Sequence, residues 1–200
     1  MLILGLTGSI GAGKSFTAQC FREAGVPVFD ADATVHTLLA PGGEAVIPIT
    51  ELFPDVKDKQ GGINRAQLGG IVFFDEAKLR QLEAILHPLV KQAGEQFLQA
   101  AMAAGSTAIV QDIPLLFETG AEKDCHAVIV VSAPEHIRRA RALQREGMHP
   151  EKLDAVHTLQ WPDEEKIARA HFVIDGTASK EEIAGKVHEI LVQVASPGGK

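Results

Sequence analysis

Residues Gly8-Ser9-Ile10-Gly11-Ala12-Gly13-Lys14-Ser15 carry the spacing GxxxxGK[ST], directly between an apolar run, Leu2 to Leu6, and an amphipathic segment that opens at Lys14. Each residue type in that spacing has a chemical task. Glycines let backbone N–H groups turn inward around phosphate oxygens, and the helix that follows adds the partial positive charge of its N-terminus. Lys14 is placed to reach β- and γ-phosphates, and the Ser15 hydroxyl to hold Mg²⁺. The competing reading is a glycine-rich turn that only caps a helix.

Carboxylates and arginines elsewhere could complete a phosphoryl-transfer site. An apolar run ends in Asp30-Ala31-Asp32, and a carboxylate there can accept or orient the proton of an attacking hydroxyl. Asp32 is the candidate base with Asp30 as its support, although Asp-Ala-Asp is equally a helix cap. Asp112, at the end of another apolar run, could hold Mg²⁺ through water or be a turn carboxylate. Arg141 and Arg145, four apart, would share one helical face and could stabilise charge on a transferring phosphoryl group. A solvated basic face is the alternative. The eight histidines show no HExxH or similar ligand spacing, so no structural metal is expected.

These groups need a frame, and the hydrophobic pattern supplies one. Apolar runs at Leu2 to Leu6, Val26 to Phe29, Ala108 to Val110, Ala127 to Val131 and Phe172 to Ile174 lack polar alternation, as strands covered on both faces do. Helical patterns lie between them, at Lys14 to Ala24, Asp75 to Ala104, Pro134 to Glu146 and Lys180 to Val194. The alternation predicts an α/β fold with a parallel five-stranded sheet flanked by helices. Ser132 with Glu135, and Ser179 with Glu182, have capping-box spacing. The core is expected at about residues 1–32, 105–137 and 166–195. A Gly/Pro-punctuated loop followed by a helical, acceptor-binding region is expected at about 33–104, and a lid at about 138–165. Pro197 to Gly199 reads as a frayed end.

Composition excludes several classes. The chain has 200 residues, 46% hydrophobic, 22% charged, with a formal net charge of −7. That balance places it outside disordered and fibrous classes and argues against a general nucleic-acid partner. No run approaches the length of a membrane span, and Cys20 and Cys125 form no CxxC pair, so a reducing cytoplasm is expected. Among phosphate-loop proteins, guanine-specific GTPases need Asn-Lys-x-Asp, whereas the sole asparagine, Asn64, precedes Arg65. Asp58 to Gly61 fits DxxG but follows no strand and reads as a turn. Motor ATPases usually end a strand in Asp-Glu, but Asp112 precedes Ile113. A small-molecule kinase is the favoured reading.

Together the motifs resemble the dephospho-coenzyme A kinase family, P-loop kinases of the nucleoside monophosphate kinase type. The landmarks run in order through Gly5 to Ser15, Asp30 to Asp32, Arg65 with Val72-Phe73, Leu82-Glu83, Leu86-His87-Pro88, Asp112 to Glu118, Arg141 with Arg145, Gln160, and Phe172 to Asp175. The resemblance implies transfer of the ATP γ-phosphate to the ribose 3′-hydroxyl of dephospho-CoA with Mg²⁺, giving CoA and ADP. It makes Asp32 the base, Lys14 and Ser15 the phosphate and Mg²⁺ contacts, and Arg141 and Arg145 lid contacts. It puts Gly8 to Phe16 and Asp175 on ATP, and Asp30, Asp32, His87, Leu115 and Glu118 on the acceptor side. The chain departs from the family pattern at Phe16, where Thr is usual, at His36 and Val156, where Arg is usual, and at Gly176, where Asn is usual. A kinase for another nucleoside or nucleotide, or a degenerate ATP-binding regulatory protein, would share the same cradle. A monomer or weak homo-oligomer is expected.

Overall fold

Five apolar segments pair into one sheet in the order β2-β3-β1-β4-β5: β1 (Leu2–Thr7), β2 (Val28–Asp30), β3 (Ala108–Asp112), β4 (Ala127–Ser132) and β5 (Phe172–Asp175). The computed structural model describes residues 1–73 and 75–196; the expected frayed end, Pro197 to Gly199, lies outside them. β1 runs parallel to β3 and β4, with Leu4 opposite both Val110 and Ala127, and β4 runs parallel to β5. Parallel pairing puts all carboxyl ends at one edge, so Thr7, Asp112, Ser132 and Asp175 finish their strands side by side. The strands match the apolar runs to within two residues, usually extending by the polar residue that closes each run.

The chain divides into two compact units, Met1–Phe29 with Ala101–Lys200, and Asp30–Ala100. In the first, α1 (Lys14–Glu23) and α9 (Lys180–Ala195) bury Phe21, Ile183, Val187 and Ile190 against Leu4, Leu6, Ile129 and Ile174. Each such fully buried aliphatic or aromatic side chain stabilises by about 1.5–3 kcal/mol relative to exposure. α9 begins as predicted: Ser179 and Glu182 form the reciprocal capping box. α6 (Glu135–Leu143), α7 (Pro150–Leu159) and α8 (Asp163–Arg169) fill the interval between β4 and β5.

The second expected capping box does not form. Pro134 occupies the N-cap of α6 without a side-chain bond, and the Ser132 hydroxyl is engaged by Asp163, far along the chain. Arg141 and Arg145 do not share a helical face either, because α6 ends at Leu143 and Arg145 lies in the turn beyond it. Gln144 is the C-cap of α6, and Gly147, at φ +71°, lies in the turn beyond it.

The second unit is helical almost from its start. Where a loop is expected, α2 (Ala31–Leu39), α3 (Val46–Leu52) and α4 (Arg65–Val72) precede the 28-residue α5 (Glu76–Ala103). Pro41, Gly42, Gly43 and Pro54 punctuate short helices rather than a loop, since Leu38, Val46, Ile49, Val56, Leu68 and Leu82 recur often enough to build a separate core. Pro88 sits inside α5, and the packing of Leu82, Leu86, Leu89 and Val90 on that core accompanies the helix through it. Asp58 to Gly61 is a turn, its Asp58 side chain accepting the N–H groups of Gln60 and Gly62.

Candidate active site

The glycine loop joins the carboxyl end of β1 to the first turn of α1, and backbone geometry explains its composition. Gly11 and Gly13 adopt φ of +80° and +108°, a region that side chains disfavour. Gly13 is the N-cap of α1 and offers no side-chain cap, so the N–H groups of Gly13, Lys14 and Ser15 open the helix beyond the reach of its hydrogen-bond ladder. An uncapped helix start with a lysine in its first turn is an anion site. Ser15 is exposed there, whereas Phe16 lies half-buried against the α1–α9 core with the Lys180 ammonium 5.7 Å from its ring centre.

Lys14 forms an ion pair with Asp112, whose side chain is only 4% exposed. The cation of the cradle is therefore held at the end of the neighbouring strand by a carboxylate. Asp112 is committed to this pair, which places it beside the cradle as the sequence suggests and gives it a partner the sequence did not reveal.

Arg141 donates from one nitrogen to the carbonyls of Gly176, at 2.9 Å, and Gly11, at 3.4 Å. It thereby bridges the phosphate loop and the loop after β5. In that second loop the Asp175 carboxylate accepts the Thr177 hydroxyl at 2.7 Å and the Thr177 N–H at 2.8 Å. These bonds, with a smaller contribution from the Arg141 charge, hold the Asp175 carboxyl below its ordinary range. Gly176 donates its N–H to the Ser132 carbonyl at 2.7 Å. A side chain at Gly176 has no room, because an added Cβ would lie 2.9 Å from the Ala12 carbonyl carbon and closer still to its oxygen. Arg145 is exposed.

Gln160 to Lys166 form a strap beside the loop that the sequence marks only at Gln160. The Gln160 side-chain oxygen accepts the Ile10 N–H at 3.1 Å, and Asp163 accepts the Ser9 hydroxyl at 2.5 Å through one oxygen and the Ser132 hydroxyl through the other. The Glu118 carboxylate accepts the Trp161 N–H at 2.7 Å and forms an ion pair at 2.8 Å with Lys166, a fully buried lysine. Glu118 is thus engaged within its own unit, while Leu115, half-buried, begins the turn that carries it. Nothing in the sequence distinguishes Asp163 from its neighbours Glu164 and Glu165, because an acidic first turn is what any helix N-terminus favours.

In the second unit the Asp30 side chain caps α2 by accepting the Ala33 N–H at 2.9 Å. Asp32 lies in the first turn and is exposed, so the two carboxylates have different local duties. His87 is exposed on α5, and His36 contacts the Arg65 guanidinium. Among the remaining histidines, His126 and His171 accept backbone N–H groups of Ile3 and Val128.

A parallel sheet with a glycine loop leading from its first strand into an uncapped, lysine-bearing helix is the phosphate-loop fold that P-loop kinases share. Solved structures agree on that fold: shikimate kinase from Aquifex aeolicus covers the chain completely with a TM-score of 0.54 at 16% identity. Dephospho-CoA kinase from Campylobacter jejuni gives 0.65 at 24% identity over 96% of both chains. A crystal structure from Thermus thermophilus gives 0.86 at 32% identity over 98% of both chains. The family model for dephospho-CoA kinase matches residues 2–182. Dephospho-CoA kinase from Rhodopseudomonas palustris strain HaA2 is 48% identical over 96% of this chain and 94% of its own, and that of Mesorhizobium japonicum is 45% identical over the full length of both. The chain belongs to the dephospho-CoA kinase family, and is a kinase that uses ATP.

Proposed function

We propose that this chain transfers the γ-phosphoryl group of ATP to the ribose 3′-hydroxyl of dephospho-CoA, releasing CoA and ADP. The observation that carries this reading is the intact cradle, Gly8 to Ser15, in a chain related to dephospho-CoA kinases over nearly its whole length. Backbone N–H groups and Lys14 hold the β- and γ-phosphates, with Lys14 exchanging the Asp112 carboxylate for phosphate oxygens. Asp32 is the base. It is exposed and free of capping duty, whereas Asp30 spends its carboxylate on α2.

The Ser15 hydroxyl and the Asp112 carboxylate are hard oxygen donors suited to Mg²⁺, which when bound would neutralise phosphate charge. In the transfer the 3′-oxygen bonds to the γ-phosphorus, its proton passes to Asp32, and the bridge from γ-phosphorus to the β-phosphate oxygen breaks. Asp175 and the adjoining loop take the adenine side of ATP, and His87, Leu115 and Glu118 the acceptor side. Residues 138–165 serve as the lid, with Arg141 and Arg145 countering charge on the phosphoryl group. The reading includes a cytoplasmic location, a monomer or weak homo-oligomer, and no nucleic-acid or membrane partner. The net charge of −7 supports it, and no helix among the described residues is long and apolar enough to cross a membrane.

The test is coupled ADP release with ATP, Mg²⁺ and dephospho-CoA, beside adenosine, AMP and no acceptor, with product mass checked for one added phosphate. Acceptor-dependent release with CoA formation is expected. Turnover on adenosine or AMP alone would move the acceptor assignment, and nucleotide binding without turnover on any acceptor would mark a degenerate kinase.

A further inference from the structure

Three consecutive residues of the phosphate loop are held from outside it. Ser9 bonds through its hydroxyl to Asp163, Ile10 through its N–H to Gln160, and Gly11 through its carbonyl to Arg141. The N–H groups of Gly13, Lys14 and Ser15 are left at the open start of α1. The loop is therefore divided into a half that is tied down and a half that receives phosphate.

Asp163 is the costliest of these ties. Its side chain is buried, at 8% residue exposure, and its two oxygens accept from the neutral hydroxyls of Ser9 and Ser132. Removing a carboxylate from water costs several kcal/mol, which two neutral hydroxyls offset only in part. The tie has a local effect that a core residue would not have. Ser9 also accepts the Ala12 N–H through its own carbonyl at 3.0 Å, so fixing Ser9 fixes the first turn of the cradle. Ser132 in turn accepts the Gly176 N–H, which sets the loop carrying Asp175 against Ala12.

We infer that Asp163 is a positioning residue for nucleotide phosphate binding, acting through the Ser9 hydroxyl to hold the phosphate loop in its receptive shape. The inference rests on the kinase reading but not on its acceptor, since the effect is on the nucleotide. A preorganised cradle binds phosphate without the cost of ordering itself, so loss of the tie weakens affinity rather than removing a contact to the ligand.

The experiment is a double-mutant cycle on the full chain, with Mg·ADP affinity measured by calorimetry and unfolding measured beside it. Asp163→Ala and Ser9→Ala are each expected to weaken Mg·ADP binding by roughly tenfold, the scale of one hydrogen bond to a charged group. The double variant is expected to be no worse than Asp163→Ala alone within about threefold, because both changes break the same bond. Asp163→Asn, which can accept one hydroxyl and donate to the other, is expected to recover most of the affinity. Additive losses, or an unchanged affinity alongside lowered stability, would overturn the inference. Should Asp163→Ala fail to fold, unchanged affinity in Ser9→Ala overturns it alone. Failure of wild-type turnover on dephospho-CoA would instead refute the acceptor assignment, leaving the cycle readable.

Discussion

Placing any side chain at position 176 should damage this protein. Gly176 is buried, and a Cβ there would stand 2.9 Å from the Ala12 carbonyl carbon, inside contact of that oxygen, and 3.2 Å from a Val131 methyl. The obstruction is backbone, so it cannot be relieved by turning a flexible side chain. Either Ala12 or the loop after β5 must withdraw by roughly an ångström in an interior packed like a crystal. Withdrawal of that loop strains the Gly176 bond to Ser132, at 2.7 Å, and the Arg141 bond to the Gly176 carbonyl, at 2.9 Å. Overpacking costs about 1–3 kcal/mol and a weakened hydrogen bond about 1 kcal/mol more, giving a total of about 2–4 kcal/mol for Gly176→Ala and at least that for Gly176→Asn. For a domain of this size the loss lowers Tm by roughly 5–15 °C. Displacement of Ala12 should also weaken Mg·ADP binding by roughly tenfold or more. Differential scanning calorimetry and titration calorimetry read both effects. Gly185→Ala is the control: it lies inside α9 with nothing within 4 Å of its Cβ, and should stabilise by about 0.5–1 kcal/mol. A Gly176→Ala protein with wild-type Tm and wild-type nucleotide affinity would refute the packing argument.

Asp32→Asn should lower turnover by roughly 10²-fold or more while leaving ATP affinity within about threefold, measured by steady-state kinetics and calorimetry. Lys14→Met should abolish measurable turnover and also destabilise the fold by about 1–3 kcal/mol in urea, because it removes a cation paired with the buried Asp112 carboxylate. Lys166→Met leaves Glu118 buried without its cation and should cost about 3–5 kcal/mol; wild-type stability would show that the pair contributes nothing. Thr177→Val removes the strongest of the interactions that depress the Asp175 pKa, so carboxyl NMR should show that pKa rise toward the ordinary value in the variant. The sign follows from linkage: a depressed carboxyl stabilises the fold above its unfolded pKa, and that contribution disappears as pH falls through the folded value. An Asp175 titration unchanged by Thr177→Val would refute the assignment.

What could be read in the chain divides by the range of the interaction. The strands and the glycine loop were legible because their signals are local: uninterrupted apolar runs, and a spacing that fits one backbone geometry. α5 was legible within one residue at either end despite Pro88, since its apolar periodicity is long. Ser179 to Glu182 declared a capping box truly, and Ser132 to Glu135 falsely, with the same spacing. The difference is that Asp163, 31 residues away, claims the Ser132 hydroxyl, and no local pattern records such a competitor. Arg141 was expected to share a helical face with Arg145, yet the helix stops between them, and the Arg141 guanidinium donates to two backbone carbonyls that no local pattern announces. Asp30 was expected either to support Asp32 or to cap a helix, and its side chain caps α2 through the Ala33 N–H. The buried Lys166 was invisible for a similar reason: lysine near a helix end reads as solvated unless its distant partner, here Glu118, is known.

The strap also carries the chain's one tryptophan. Trp161 stacks on Phe117 with ring centres 5.8 Å apart, holds the Arg169 guanidinium 4.6 Å above its own ring, and sits between Gln160 and Asp163. With one indole and no tyrosine, the protein has a single native fluorophore for excitation at the red edge of its absorption, already seated next to the residues that grip the phosphate loop. Its emission and quenching therefore follow that neighbourhood without any attached dye. A stopped-flow trace of nucleotide entry becomes a time course of one identified side chain rather than an average over many.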